Sequence, residues 1–205
     1  MNKLLSIGVM ASGRGSNLQS ILDAIEKGTV PARVCVVITD KPEAKALERA
    51  RAAGIPAICF NRKEYDGRES FEHALIEALR AHGAELVVLA GFMRILSPVF
   101  VQAFKDRILN IHPSILPSFP GADAHSLVLA YGAKVSGCTV HFVDEGTDSG
   151  PIILQATVPV MDDDDHDSLA ARVLVEEHKI YPEAIRLYAE GRLTIEGRKV
   201  RIKRD

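Results

Sequence analysis

A short apolar run at residues 85–90, with the sequence ELVVLA, is the feature that most constrains the fold of this chain. Nearly all of its side chains are apolar, as expected for a strand that is buried on both faces of a parallel sheet. Similar β-type runs at 4–10, 33–39, 57–60 and 108–111 alternate with helical patterns. This alternation predicts an α/β fold with a doubly wound, mostly parallel sheet and right-handed crossovers.

The helical patterns between these runs cover four segments: 16–27, 41–53, 68–81 and 98–104. After His112 the pattern changes. Residues 113–126 are rich in proline, serine and glycine and predict a functional loop. Two longer strands, a long helix that Pro182 should kink or break, and a small hairpin then predict an antiparallel C-terminal part. These elements are predicted at 135–142, 152–160, 167–191 and 193–203.

The composition fits one soluble domain spanning residues 1–205, with 47% apolar and 25% charged residues. The formal net charge of −2 gives no electrostatic reason to expect nucleic-acid binding, and no 18-residue apolar stretch predicts a membrane span. Three cysteines, odd in number and without a CxxC pattern, predict reduced thiols and a cytoplasmic location.

Metal binding is not expected. The acidic stretch at 162–167 precedes a predicted helix, and such residues stabilise a helix N-terminus. Four further histidines have no ligand-like spacing to one another: His73, His82, His141 and His178.

A glycine-rich segment, SGRGSN at 12–17, lies between the first predicted strand and the first predicted helix. Gly15 lets the backbone turn tightly, and Ser16 and Asn17 add donors at a helix N-terminus, which suits a phosphate group. The segment lacks the Lys-Ser/Thr pair of a nucleoside-triphosphate loop, and Leu18 replaces the third glycine of the dinucleotide fingerprint. A single phosphate monoester fits better. The alternative is a plain turn in which Ser16 or Asn17 caps the helix.

The catalytic candidates lie in the stretch NIHPS at 110–114. In extended backbone, Asn110 and His112 project to the same face. An amide N–H beside an imidazole suits an oxygen that becomes negative during acyl transfer. Asp148, in a turn between two predicted strands, could orient the imidazole. The alternatives are that His112 is a buried core residue and that Asp148 serves only its own turn.

Five segments of the sequence together resemble the folate-dependent formyltransferase family, which has a Rossmann-like fold. They are SGRGSNLQS at 12–20, AGFMRILSP at 90–98, NIHPSILPSFPG at 110–121, GCTVHFVDEGTDSGPIILQ at 137–155 and EEHKIYPEAI at 176–185. The resemblance covers nearly the whole chain. Asn-x-His-Pro-Ser with a later Asp is shared across enzymes that use 10-formyltetrahydrofolate, whereas Gly-Ser-Asn after the first strand is specific to the glycinamide ribonucleotide branch.

The resemblance implies roles by position. Asn110, His112 and Asp148 would be catalytic. Residues 1–112 would form the phosphate-binding half and 113–205 the folate side. The implied substrate-binding residues are Gly15, Ser16 and Asn17 for the phosphate and Glu177 for the ribose hydroxyls. The implied folate-binding residues are Arg68, Met93, Arg94, Ile95, Leu96, Asp144, Glu145, Gly146 and Thr147. The chain departs from the family pattern at Ser118 and Asp123, with His125 following, so the part played by residues 118–126 stays open.

The reaction implied is formyl transfer from 10-formyltetrahydrofolate, a consumed co-substrate, to the amine of 5-phosphoribosylglycinamide in purine biosynthesis. The implied partners are small-molecule substrates only, with the protein a monomer or homodimer and no metal. Three rival functions share part of this pattern: a formyltetrahydrofolate hydrolase, a methionyl-tRNA formyltransferase and a non-catalytic nucleotide-binding module. The first two normally carry an additional domain, for which this chain is expected to leave no room, and the third does not explain Asn110, His112 and Asp148.

Overall fold

A computed structural model describes residues 3–204 of the chain. The residues divide into two compact units, one ending at Leu109 and the other beginning at Asn110. Strand β5 (Ile108–His112) contains the point of division. No helix among residues 3–204 is long and apolar enough to cross a membrane.

The first unit alternates strands and helices as the sequence predicts. Its elements are β1 (Leu5–Ala11), α1 (Ser16–Glu26), β2 (Ala32–Thr39), α2 (Lys45–Ala52), β3 (Ala57–Cys59), a 3₁₀ turn at Arg62–Glu64, α3 (Arg68–Ala81), β4 (Leu86–Leu89) and α4 (Pro98–Ala103). The strand order is β3-β2-β1-β4-β5. Strand β1 pairs in parallel with β2 and β4, and β2 pairs in parallel with β3. All four residues of β4 are buried, which confirms the prediction made from the apolar run.

The second unit contains α5 (Ala124–Tyr131), β6 (Val135–Phe142), β7 (Ile152–Pro159), α6 (His166–Ala189), β8 (Leu193–Glu196) and β9 (Lys199–Ile202). Its strand order is β5-β6-β7-β9-β8. The pairs β6/β7 and β8/β9 are antiparallel, whereas β7 pairs with β9 in parallel. The α/β class with an antiparallel C-terminal part is therefore confirmed, as is the hairpin at the end of the chain.

Two local predictions were wrong, and a third is narrowed. The second helix begins at Lys45 instead of residue 41, because Lys41 precedes a proline, and a residue in that position disfavours helical backbone. Helix α5 was missed because its sequence, AHSLVLAY, is apolar almost all round and shows no amphipathic period. Of the two outcomes predicted for Pro182, a kink or a break, the break does not occur, since α6 continues through Pro182 to Ala189.

Candidate active site

Strand β5 carries two of the three predicted catalytic residues, and the β6–β7 connection carries the third. His112 Nδ1 lies 3.3 Å from Asp148 Oδ2. Asn110 Nδ2 lies 3.5 Å from Asp148 Oδ1. Because Asn110 and His112 stand two residues apart on one strand, both can reach the same carboxylate. The structure therefore brings the three residues together in the second unit.

The Asp148 carboxylate is held from several sides. Its Oδ2 accepts a hydrogen bond of 2.8 Å from the Gly121 backbone N–H. Partial burial raises the pKa of Asp148, but the donors around the carboxylate, among them the Gly121 amide and the ring of His112, lower it by more, so that its pKa lies below the ordinary value. The residue has a left-handed backbone with φ 49°, which is uncommon for aspartate. Asp148 is thus kept as a carboxylate close to the two side chains of β5.

The buried imidazole of His112 has an acceptor at each ring nitrogen. Nδ1 faces Asp148, and Nε2 donates to the Phe119 carbonyl oxygen at 2.8 Å. The hydroxyl of Ser114 also donates to that carbonyl, at 3.2 Å. A carboxylate and a carbonyl can only accept hydrogen bonds, so the pair favours a ring that carries a proton on both nitrogens. His112 is buried, as expected if it were a core residue. However, both of its partners are hydrogen-bond acceptors, which suits a positively charged ring.

One further residue, His141, also lies in this group. In the sequence it stands out only as a histidine without the spacing of a metal ligand. His141 is buried on β6, and its Nε2 lies 3.1 Å from Asn110 Nδ2 and 3.7 Å from Asp148 Oδ1. Its position at the end of a strand, seven residues before Asp148, was the available signal.

The glycine-rich segment joins β1 to α1, as predicted. Gly15 itself is the N-cap of α1 and has φ 68°, so Ser16 and Asn17 lie in the first turn. The alternative in which either of them caps the helix is therefore wrong. A Cβ on Gly15 would lie 3.0 Å from the Ala46 Cα, so the backbone approaches α2 closely at this point. Glycine has no side chain with which to satisfy the first N–H groups of α1, and such groups are suited to an anion.

The loop after β4 is tied to the end of β1 through Ser12. The buried Ser12 hydroxyl accepts a hydrogen bond of 2.9 Å from the Met93 N–H, and the Ser12 N–H donates to the Gly91 carbonyl. Met93 and Ile95 are 77% and 66% exposed, an unusual exposure for large apolar side chains, whereas Leu96 is buried. Exposed apolar side chains on a loop that is fixed by hydrogen bonds to Ser12 are suited to contact with a ligand.

A buried carboxylate fixes the far end of the same loop. Glu72 accepts from Arg68 Nε at 3.1 Å, from the Ser97 N–H at 3.0 Å and from the Ser97 hydroxyl. Arg68 also donates to the Ile95 carbonyl at 2.6 Å. Arg94 donates to the buried Asp40 at 2.6 Å.

Arg68, Glu72 and residues 92–96 line a cavity of about 450 Å³ in the first unit. It contains all five predicted folate-binding residues of this unit: Arg68, Met93, Arg94, Ile95 and Leu96. A larger cavity of about 840 Å³ lies between α1 and α2, and its lining has mixed charges and includes no predicted site residue.

In the second unit, the turn at 144–148 is organised by Asp144. Its Oδ1 accepts from the Gly146 N–H at 3.1 Å and from the Ser149 hydroxyl at 2.6 Å. A Cβ on Gly146 would lie 2.0 Å from the Ser149 hydroxyl oxygen, so a larger residue there would have to displace that hydroxyl from Asp144. Glu145 and Thr147 are exposed on this turn. Glu177, the predicted ribose ligand, is buried on α6.

The acidic stretch before α6 serves the helix, as predicted. Asp165 is the N-cap and accepts from the Ser168 N–H at 2.8 Å. Asp164 forms an ion pair with Arg172. Among residues 3–204, no group of three or more His, Cys, Asp or Glu side chains is arranged to hold a metal ion.

With this geometry in place, comparison with known proteins places the chain in a family. The sequence model of the formyl transferase family matches residues 5–185. The chain belongs to the formyl transferase family. It is 46% identical to the phosphoribosylglycinamide formyltransferase of Escherichia coli (strain K12), over 92% of this chain and 89% of that protein.

Among solved structures of the formyl transferase family, the chain is similar to glycinamide ribonucleotide transformylase 1 from Symbiobacterium toebii. The two are 55% identical with a TM-score of 0.97, over 98% of this chain and 95% of that one. A formyltetrahydrofolate deformylase from Pseudomonas syringae pv. tomato is 26% identical with a TM-score of 0.89, over 97% of this chain and 66% of that one. The chain spans only 14% of a relative named as a trifunctional purine biosynthetic protein, from Drosophila melanogaster, at 45% identity.

Proposed function

We propose that this chain transfers a formyl group from 10-formyltetrahydrofolate to the amine of 5-phosphoribosylglycinamide. The products are formylglycinamide ribonucleotide and tetrahydrofolate, in the de novo purine pathway. The observation that carries the proposal is the contact of Asn110, His112 and Asp148 in a chain 46% identical to an enzyme named for this activity. The three free cysteines suit the reducing cytoplasm, where we place the reaction.

In the proposed reaction, the free amine attacks the formyl carbon and forms a tetrahedral intermediate with a negatively charged oxygen. Asn110 and protonated His112 donate hydrogen bonds to this oxygen, and Asp148 stabilises the charged ring. His112 Nε2 donates to the Phe119 carbonyl in the structure, so the substrate oxygen has to replace that carbonyl as acceptor. The intermediate then collapses as the C–N10 bond breaks, with one proton passing from the amine to N10.

Substrate binding is divided between residue sets. We assign the phosphate to Gly15, Ser16 and Asn17, which follow a glycine N-cap at a helix N-terminus. Glu177 is assigned to the ribose hydroxyls. The folate is assigned to the cavity-lining residues of the first unit and to the turn of the second unit: Arg68, Met93, Arg94, Ile95, Leu96, Asp144, Glu145, Gly146 and Thr147. The folate is a co-substrate, and the proposed chemistry uses no metal.

An acceptor panel tests the proposal. Purified protein is mixed with 10-formyltetrahydrofolate and either phosphoribosylglycinamide, methionyl-tRNA or no acceptor, and tetrahydrofolate release is followed. We expect release with phosphoribosylglycinamide alone. Equal release without any acceptor would instead make the protein a hydrolase like the deformylase of the same fold, and formylation of the tRNA would assign it to a third activity.

A further inference from the structure

His141 lies at an irregularity in the pairing of β6 with β7. Val140 pairs with Leu154, but His141 pairs with Ile152, so the register shifts between these two positions of β6. Such bulges re-aim the side chains next to them and are frequent beside active sites. The imidazole of His141 is 98% buried and points at the amide of Asn110.

The protonation of this ring follows from its neighbours. His141 Nδ1 lies 2.8 Å from the Phe142 carbonyl oxygen, which can only accept. Nδ1 therefore carries the hydrogen. In a neutral imidazole the other nitrogen is then an acceptor, and Nε2 lies 3.1 Å from Asn110 Nδ2.

This acceptor determines which way the Asn110 amide faces. If the amide were turned over, its oxygen would face both the Nε2 lone pair and the Asp148 carboxylate and would be repelled by both. With the NH₂ group inward, one N–H is bonded to His141. The nitrogen lies 3.5 Å from Asp148 Oδ1, which is too long for a strong hydrogen bond, so the second N–H is available to a substrate oxygen.

We propose that His141 is a positioning residue for formyl transfer. Its neutral ring, fixed by the Phe142 carbonyl, accepts one N–H of Asn110 and so presents the other N–H to the formyl oxygen. This inference rests on the proposed function, because it gives Asn110 the role of donor to that oxygen.

Gly150 keeps the Phe142 carbonyl available for this task. A Cβ on Gly150 would lie 1.8 Å from that carbonyl oxygen and 2.8 Å from its carbon. Any larger residue would have to displace the peptide that fixes the His141 ring. The Phe142 N–H is held as well, by the Pro151 carbonyl at 2.9 Å.

Two substitutions separate the acceptor from the bulk of the ring. His141→Leu removes the acceptor, whereas in His141→Gln the side-chain oxygen can occupy the place of Nε2. We expect His141→Leu to lower kcat by about 10- to 100-fold, less than the loss of a donor itself, with the KM of both substrates within about threefold. His141→Gln should restore most of kcat. His73→Leu, at a half-exposed position on α3, is the matched control and should leave kcat unchanged.

A double substitution shows whether His141 acts through Asn110. In an Asn110→Ala background, His141→Leu should cause no further loss of kcat, because the group it positions is gone. Full additivity of the two losses would overturn the proposal. Normal turnover in Asn110→Ala alone would contradict the role of Asn110 in the proposed function. That result is distinguishable from additivity, which would contradict only the role of His141.

A measurement on the unsubstituted protein does not depend on turnover or on how a variant folds. NMR of ¹⁵N-histidine-labelled protein near neutral pH should show His141 with a hydrogen on Nδ1 and none on Nε2. A ring with a hydrogen on Nε2, alone or in addition, would refute the proposal whatever the kinetics show.

Discussion

Replacement of Gly15 by alanine tests how closely the glycine-rich turn approaches α2. Gly15 combines φ 68° with a backbone contact, because an added Cβ would lie 3.0 Å from both Cα and Cβ of Ala46. The Ala46 N–H also donates to the Gly13 carbonyl at 3.2 Å, so the turn and α2 are bonded as well as packed. Alanine must therefore strain the turn, shift α2, or do both.

The expected loss of stability in Gly15→Ala combines three contributions. The left-handed conformation costs a non-glycine residue about 1–2 kcal/mol. The reduced freedom of the unfolded chain returns about 0.4–1 kcal/mol. The close contact with Ala46 adds to the cost, since backbone cannot move aside as a flexible side chain can. We expect a net loss of about 1–2 kcal/mol in the free energy of unfolding, which lowers Tm by about 2–8 °C for a chain of this size.

The assay compares Gly15→Ala with Gly13→Ala. Gly13 has no positive φ, and a Cβ there would meet no heavy atom of residues 3–204 within 4 Å. Urea unfolding gives the stability of both variants, and calorimetry gives their affinities for phosphoribosylglycinamide and for a folate. Gly15→Ala should weaken phosphoribosylglycinamide binding by up to about tenfold and leave folate binding intact. If the two variants were equally stable and bound phosphoribosylglycinamide equally well, the reasoning would be refuted.

Three further predictions concern single side chains. His112→Ala should lower kcat by about 10²-fold or more with folate affinity retained; steady-state kinetics and a binding titration check this, and near-normal turnover in a folded variant would contradict it. The lowered pKa of Asp148 means that its carboxylate contributes stability above about pH 4 and that this contribution is lost as pH falls; the stability gap to Asp148→Asn should thus be larger at pH 7 than at pH 3, and a constant gap would argue against it. Burial raises the pKa of Cys138 to about 12 and also raises that of Cys35, so only Cys59 should react readily with Ellman's reagent in the native protein and all three cysteines after unfolding; fast reaction of two or more native thiols would show that the burial argument fails.

Much of this fold could be read from local patterns, because buried parallel strands have a strong signal. The run at 85–90 became β4, and the i, i+2 spacing of Asn110 and His112 became two side chains on one strand. From the sequence, Asp148 could be predicted only to lie within reach of these two side chains. The contact itself depends on a turn with a left-handed residue, which no local sequence pattern predicts.

Other parts of the site depend on contacts distant in sequence. The acceptor for His112 Nε2 is the carbonyl of Phe119, whose own φ of 53° is unusual for an aromatic residue. His141 lies in this group next to a register shift between β6 and β7. The amino-acid composition gives no indication of such a shift. Helix α5 forms although its sequence has no amphipathic period, because its environment in the folded protein overrides the weak local signal.

Ser12 makes two segments of the first unit, the glycine-rich turn and the loop after β4, mechanically dependent on each other. The same residue receives the Met93 N–H on its hydroxyl, donates its N–H to Gly91, and immediately precedes the glycine-rich turn. Order imposed on one segment by a bound molecule therefore reduces the freedom that the other still has to lose. If the two segments hold the two substrates as proposed, we expect each substrate to strengthen the binding of the other by the same factor, whichever arrives first.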